Sequence, residues 1–250
     1  MKLIPPLLLM ACLVFLPGIR VGAAEPSPRI VAFEMPGLAD TSRIRPYDRI
    51  LQRAGEQAGI PVRFEYMPPE RAKQLFLRGR VGCYFPFDPA LFAEVDEASL
   101  LMSHTFNLAK SYVFSRKGER TFSRLEDTAG LRIGARYGLT YGAHYERIKQ
   151  DPAWQIERVQ EDRVNFRKLA TGRLDVMLAY LPDLFADFNE TMLAQLDYQR
   201  EHPLTVHRDA IACHPNPANR QFMTAFNQGM KQLETSGELR RLLGPLYIAP

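Results

Sequence analysis

Two stretches decide the fold: Phe76–Phe85 reads FLRGRVGCYF, and Leu169–Tyr180 reads LATGRLDVMLAY. Each stretch starts at the end of an apolar helical face, passes through a Gly-Arg pair and continues into residues typical of a buried strand. Because glycine readily ends a helix in the left-handed conformation, each joint predicts a helix followed by a strand. Gly-Arg pairs also recur by chance, but the matched positions of the two joints favour two similar lobes.

The residues before the first joint predict the same alternation of strands and helices. They give a strand at Arg29–Glu34, a helix at Tyr47–Ala58 ended by Gly59, a strand at Val62–Tyr66 and a short helix opened by Pro68-Pro69-Glu70. Proline suits the first helical turn, and a glutamate there interacts favourably with the helix dipole. Strands separated by helices imply βαβ units and a mostly parallel sheet.

The order recurs in the second half of the chain. It gives strands at Arg132–Arg136, Trp154–Val159 and Leu174–Tyr180, with a helix capped by Thr140 that runs to about Lys149 and another capped by Asp162. The repeated order predicts an α/β protein of two Rossmann-like lobes.

The end of the chain adds a strand at Asp209–Cys213 and a long helix. Asn216 and Pro217 are N-cap and first-turn signals, an apolar stripe follows, and Gly237 ends the helix before a last short one. Since no low-complexity linker separates the parts, we expect short crossovers and hinged lobes.

The N-terminus predicts export. Lys2 precedes an uncharged apolar run from Leu3 to Leu16, and small residues follow, so we predict a signal peptide at 1–24 with cleavage after Ala23 or Ala24. The run is too short to span a bilayer. Cys12 leaves lipidation open as an alternative. The expected location is the periplasm.

Composition and motifs exclude several function classes. The chain has 250 residues and a formal charge of +4, but no dense block of Lys and Arg, so we expect no nucleic-acid partner. The five histidines are scattered without metal-ligand spacing, and no nucleophile-elbow, zincin or P-loop motif occurs. We therefore expect no catalytic residues, no metal and no cofactor. We also expect a monomer.

The sequence resembles the bacterial extracellular solute-binding proteins of family 3, which have the type II periplasmic binding fold. The segments that carry the resemblance span most of the chain after the leader: 69–82, Tyr112–Lys117, Leu125–Gly134, Gly172–Asp175 and Asn219–Tyr247. The resemblance implies lobe one at 25–108 plus 209–250, lobe two at 109–208, and two hinge crossovers. It also implies a small-molecule ligand in the interlobe cleft.

The resemblance places ligand contacts after strand ends, where open α/β sheets bind ligands. We list Glu34, Arg71, Tyr84, Phe85, Phe87, Tyr137, Leu139, Thr140 and Tyr180. Alternatives stay open: core packing for Tyr84 and Tyr180, a surface charge for Arg71, and an N-cap for Thr140. Phe85-Pro86-Phe87 favours an aromatic wall, and the backbone at Tyr137–Thr140 favours an anionic or carbonyl oxygen.

Two charged groups that amino-acid binders of this family use are missing. These binders usually hold the α-carboxylate with an arginine after the third strand, but Val81–Lys110 contains no arginine. The aspartate that holds the α-ammonium aligns with Tyr180. We therefore predict a less polar or aromatic ligand that is not a standard α-amino acid, with any anionic group near Gly138–Thr140 or Arg71. Arg71 or Arg136 remains an alternative source of the missing arginine.

The resemblance also bears on Cys83 and Cys213, because in the family fold their strands are neighbours. Free buried thiols are the default expectation, and a disulfide is the alternative that export permits. The partner is expected to be an inner-membrane ABC permease or, alternatively, a sensor receptor. A third alternative is a periplasmic dehydratase-like enzyme, which would need an acid and an arginine together in the cleft.

Overall fold

The computed structural model describes residues 28–250 except Ser42, Asp88, Ala90, Leu91 and Ala93. The predicted leader and Cys12 lie outside these residues. In the part of the chain that is described, no helix is both long and apolar enough to cross a bilayer.

Helices and strands alternate along most of the chain. The strands are β1 Ile30–Ala32, β2 Phe64–Tyr66, β3 Cys83–Phe85, β4 Leu101–Met102, β5 Asn107–Arg116, β6 Arg132–Arg136, β7 Gln155–Val159, β8 Val176–Leu181, β9 Leu196–Asp197, β10 Thr205–Asp209 and β11 Ala212–Cys213. The helices are α1 Pro46–Ala58, α2 Pro69–Leu77, α3 Ala143–Ile148, α4 Asp162–Ala170, α5 Asp183–Asp187, α6 Glu190–Leu193, α7 Pro217–Thr235 and α8 Glu238–Leu243.

The described strands form two sheets. The first has the order β2-β1-β3-β11-β4, and the second has the order β10-β5-β8-β6-β7 with β9 beside β5. In the first sheet, β1 is parallel to β2 and β3, while β11 runs antiparallel to β3 and β4. In the second, β6 is parallel to β7 and β8, while β5 is antiparallel to β8 and β10. The chain passes between the sheets twice, from β4 to β5 and from β10 to β11.

Each sheet has its own apolar core. The first core includes Tyr47 and Ile50 of α1 together with Phe226 and Met230 of α7, all fully buried. The helices approach closely at Gly229, where a Cβ atom would overlap the carbonyl group of Ala54. The second sheet carries separate apolar clusters on its two faces. These two bodies, one around each sheet, are called the first and second lobe below; the residue boundaries assigned from the sequence stay a prediction.

Cys83 and Cys213 form a disulfide across the first sheet. The two residues are direct partners in the antiparallel β3–β11 pair, and their Cα atoms are 4.1 Å apart. The default expectation of free thiols is therefore wrong, and the alternative holds, because direct register partners bring the two sulfur atoms together.

Two other local expectations need correction. Thr140 does not cap α3: the helix begins at Ala143 after Gly142, and the Thr140 hydroxyl accepts a hydrogen bond from the Gly142 amide at 3.3 Å. The expected strand at Asp209–Cys213 is divided, since Asp209 ends β10 in one sheet and Ala212 begins β11 in the other. The chain changes sheets within the segment that the sequence suggested was a single strand.

A buried polar network joins the two crossovers. The Tyr47 hydroxyl donates to the carboxylate of Asp209 and accepts from Asn107 Nδ2 at 2.9 Å. Asn107 Oδ1 also accepts from the amide of Ile248 at 2.7 Å. Both crossovers are thus hydrogen-bonded to Tyr47 of α1, and the first is also bonded to the C-terminal segment through Asn107.

Candidate functional site

The two lobes face each other across a cleft of about 620 Å³. The cleft is lined from the first lobe by Glu34, Pro36 and Tyr66–Pro69, and from the second by Arg136, Tyr137, 160–163, Asp183 and Asp187. The lining residues follow β1, β2, β6, β7 and β8. This is the edge at which the carboxyl ends of parallel strands meet, and ligands of open α/β sheets bind there.

Arg136 lines the cleft from the second lobe. It ends β6, is 7% exposed, and lies with Nη1 3.5 Å from Asp162 Oδ2 and 3.9 Å from Asp183 Oδ2. Its Nε donates to the Gln160 carbonyl at 3.2 Å, and its Nη2 donates to the Glu34 carbonyl of the other lobe at 3.4 Å. Arg136 therefore links two buried carboxylates of the second lobe to the loop after β1.

Burial shifts the titration of these carboxylates. It raises the pKa of Asp162 to about 7 and that of Asp183 to about 6, although the nearby guanidinium opposes both shifts. Burial lowers the pKa of Arg136, but the two aspartates outweigh that effect and its pKa is raised. Arg136 stays charged, and the aspartates titrate near neutral pH.

The cleft carries more negative than positive groups. Its described lining holds five carboxylates against two guanidiniums, a formal excess of three negative charges. The second guanidinium belongs to Arg163, which pairs with Asp187 at 2.9 Å. Asp162 Oδ1 is buried and has no hydrogen-bond partner within the described part of the chain.

A smaller apolar cavity of about 50 Å³ adjoins the cleft. Its lining includes Phe33, Met35, Pro86, Phe87, Leu139, Thr140, Tyr180, Asp183, His207 and Asp209. Tyr180 donates from its hydroxyl to the Thr140 carbonyl at 2.6 Å and stacks on Tyr141 with ring centroids 5.5 Å apart. Because Asp183 borders both spaces, the apolar cavity and the acidic cleft meet at its carboxylate.

Asp209 is a third buried acid and lines the apolar cavity. Burial raises its pKa to about 7, although the hydrogen bond from Tyr47 opposes the shift. Its place at the end of β10 puts a proton-binding group at a hinge crossover.

The structure brings most of the predicted contact residues to these spaces. Those that line the cleft or the apolar cavity are Glu34, Phe87, Tyr137, Leu139, Thr140 and Tyr180. Tyr84 packs against Phe76 and Phe92 and borders a third interlobe space of about 360 Å³.

Two predicted contacts lie elsewhere. Phe85 is fully buried and stacks between Phe64 and Phe106. The prediction that Phe85 forms part of an aromatic wall for the ligand is therefore wrong, because its side chain packs in the core. Arg71 is exposed on α2 and lines neither the cleft nor the apolar cavity.

Sequence reasoning missed Asp162 and Asp183 as site residues. The sequence suggests Asp162 only as a helix cap and gives Asp183 no role. The cap prediction is wrong, because Asp162 is the first residue of α4 and Glu161 is the N-cap. Both aspartates lie just after strands of the second sheet, β7 and β8, so the rule that selected Glu34 and Tyr137 also selects them. In the structure Arg136 lies beside Asp162 and Asp183, a grouping that the sequence did not indicate.

Solved structures with the same fold have been found by comparison, although no protein-family model matches the chain and no curated protein matches it significantly. The ligand-binding core of GluR0 from Nostoc punctiforme in complex with L-glutamate is 13% identical, with 88% of this chain and 99% of that chain covered and a TM-score of 0.67. The arginine-, lysine-, histidine-binding protein ArtJ from Geobacillus stearothermophilus is 12% identical, with 90% and 97% covered and a TM-score of 0.66. A histidine kinase sensor domain with similarity to periplasmic binding proteins is 14% identical, with 88% and 96% covered and a TM-score of 0.64.

These likenesses confirm the predicted fold. The chain has the two-lobed α/β architecture of type II periplasmic binding proteins, with two sheets and two crossovers.

Proposed function

We propose that the protein is an exported solute-binding protein that captures a small molecule between its lobes for an ABC importer and leaves it chemically unchanged. The observation that carries this proposal is the cleft itself, which both lobes line and which Arg136 bridges at Glu34. A ligand that touches both walls stabilises the closed arrangement over the open one, and a transporter can recognise that difference. The predicted leader supports export.

We further propose that the ligand is not a standard α-amino acid. Both arginines of the described cleft lining face aspartates, since Arg136 lies beside Asp162 and Asp183, and Arg163 pairs with Asp187. An entering carboxylate would have to compete with these aspartates inside a buried, already acidic site. The electrostatic penalty opposes a zwitterion.

Sensing is the alternative role on the same fold. The observation that favours it is the likeness to a histidine kinase sensor domain. Genes next to this one separate the two roles: a permease and an ATPase favour import, whereas a membrane receptor or kinase favours sensing.

An enzymatic role would rest on Asp162, because a carboxyl group with a pKa of about 7 beside an arginine suits general acid catalysis. Mass spectrometry of the bound molecule before and after prolonged incubation decides this. We expect an unchanged mass, and a loss of water or carbon dioxide would favour the enzyme.

Native mass spectrometry of freshly purified 25–250 tests the binding role. We expect a small molecule to remain bound, and small-angle scattering to give a smaller radius of gyration before the molecule is removed than after. Calorimetry with the twenty standard amino acids should show no micromolar binding. A chain that retains no solute and does not change its radius of gyration would contradict the binding role.

A further inference from the structure

The acidic cleft contains a buried hydrogen-bond acceptor without a donor. Asp162 is 7% exposed and lines the cleft, and no described residue donates a hydrogen bond to its Oδ1 atom, while Oδ2 faces Arg136 at 3.5 Å. Leaving a buried carboxylate oxygen without a partner is unfavourable. A ligand that donates a hydrogen bond at this position removes the penalty.

The charge around this acceptor is not balanced by the protein. One guanidinium serves both Asp162 and Asp183, at separations of 3.5 and 3.9 Å, which exceed the 2.7–2.9 Å typical of charge-assisted hydrogen bonds. Arg163 is already paired with Asp187, so its guanidinium offers the cluster no further positive charge. The cluster of Arg136, Asp162 and Asp183 therefore carries one more negative charge than positive when both aspartates are ionised.

We infer that Asp162 and Asp183 bind the cationic group of the ligand, a protonated amine or a guanidinium, and that the ligand carries no carboxylate next to this group. This inference rests on the proposed binding function and names the class of solute. An ammonium or guanidinium supplies both the missing positive charge and the missing donor. The ligand's apolar part lies beside it, because Asp183 borders the apolar cavity as well as the cleft.

The pH dependence of binding follows from the same groups. Asp162 faces Arg136, Asp183, Asp187 and the Tyr141 hydroxyl. Asp183 faces Arg136 and Asp187, and also Asp209 of β10 and Tyr47 of α1. A cation binds the ionised carboxylates and has to displace their protons at low pH. Binding of an amine is therefore tighter at pH 8 than at pH 5.5.

Calorimetry with matched probes, at pH 8 and pH 5.5, tests the proposed class of ligand. The probes are tyramine, tyrosine and 3-(4-hydroxyphenyl)propionate, which share one ring, and agmatine against arginine. We expect at least one amine to bind, its amino acid to bind at least tenfold more weakly, and the propionate not to bind. Equal binding of an amino acid and its amine, or no binding of any amine, overturns the inference.

Variants test the residues. Asp162→Asn and Asp183→Asn each weaken amine binding at least tenfold and reduce its pH dependence. Asp127→Asn, the same chemical change at an exposed position of the second lobe, changes affinity less than twofold. Circular dichroism and thermal unfolding check that each variant is folded. If both site variants bind the amine like Asp127→Asn, the subsite is wrong.

The proposed function can survive failure of this inference. If no amine binds but a neutral or anionic solute co-purifies and reduces the radius of gyration, the class of ligand is wrong and the binding role stands. If no solute of any kind closes the lobes, both are wrong.

Discussion

Arg136 lies buried between Asp162 and Asp183, and its removal leaves two carboxylates without a counter-charge. We expect Arg136→Met to lower the free energy of unfolding by about 3–5 kcal/mol at pH 8. The loss should be smaller at pH 5, where protonation neutralises both aspartates. Urea unfolding at the two pH values measures both effects.

Arg163→Met is the matched control for this substitution. Arg163 also pairs with an aspartate of the cleft, but its side chain is 45% exposed. Exposed ion pairs contribute little, so the control should lose less than about 1 kcal/mol. Similar losses in the two variants would mean that Arg136 is not stabilised by its buried position between the acids.

Asp209 makes the folded protein bind a proton more tightly than the unfolded chain does. Its pKa rises from 3.8 to about 7 on folding, so the folded state holds more protons between these values and stability falls as pH increases. An asparagine side chain at this position would keep an oxygen that accepts from Tyr47 but would not ionise. We expect Asp209→Asn to equal the wild type near pH 4 and to be more stable by on the order of 4 kcal/mol at pH 8.

Asp175→Asn should change the pH dependence of stability in the opposite direction. Hydrogen bonding to Arg132 lowers the pKa of Asp175, so its contribution is present above pH 4 and is lost as pH falls further. This variant should be less stable than the wild type at pH 8 and approach it in acid. Urea midpoints from pH 3 to 8 measure both variants; parallel curves for wild type and Asp209→Asn would refute the assignment of Asp209.

The sequence predicts where the candidate site lies, but it does not predict which charged groups meet there. The strand-end rule predicts Glu34, Tyr137 and Tyr180 as ligand contacts because it needs only the strand boundaries, and all three line the cleft or the apolar cavity. The grouping of Arg136 with Asp162 and Asp183 depends on β6, β7 and β8 being neighbours in one sheet, and that order is a long-range property. Phe85 and Phe87 are two residues apart and both apolar, so the sequence alone did not show which of them lines the cavity.

At the scale of elements, α1 and α7 pack with almost no space between their backbones. Ala is normally favoured over Gly inside a helix by about 1 kcal/mol. At Gly229, however, a methyl group would overlap the Ala54 carbonyl, so we expect Gly229→Ala to destabilise the protein by about 1–3 kcal/mol. Gln221→Ala, at an exposed position of the same helix, should change stability by less than about 0.5 kcal/mol. Thermal and urea unfolding compare the two; a stabilised Gly229→Ala would show that the helices move apart freely.

The elements with strong local signals were predicted well. Asn216 and Pro217 located the start of α7, Gly59 located the end of α1, and the predicted strand at Arg132–Arg136 matched β6. The sequence did not indicate β10, because Thr205–Asp209 places His207 and Arg208 in an edge strand that owes its structure to pairing with β5. Sequence patterns thus predict the elements that local interactions stabilise, whereas an edge strand such as β10 depends on its partner in the sheet.

At the scale of the whole molecule, Gly37 lies where the lobes touch. It follows β1, has φ of 81°, and a Cβ atom there would overlap the Ala186 carbonyl in α5 of the other lobe. We expect Gly37→Ala to push the lobes apart, giving a larger radius of gyration in small-angle scattering and solute binding weakened roughly tenfold, about 1.4 kcal/mol.

Gly130→Ala controls for backbone strain in this experiment. Gly130 also has φ of 81°, but a Cβ atom there would lie more than 4 Å from its neighbours among the described residues. Both variants carry the cost of about 1–2 kcal/mol for a left-handed non-glycine residue. Only Gly37→Ala should alter the radius of gyration; the same scattering profile for both would argue against a contact that limits closure.

The disulfide has a mechanical consequence. Cys83 and Cys213 are 130 residues apart, and every strand from β4 to β10 lies between them, so tension applied at the chain termini passes through the bond and bypasses the second lobe. When the oxidised protein is pulled in optical tweezers, the second lobe should stay unloaded, and the fully stretched length should be shorter by about 470 Å than after reduction. Reduction would expose that hidden length and let the same force unfold the lobe that it could not reach before.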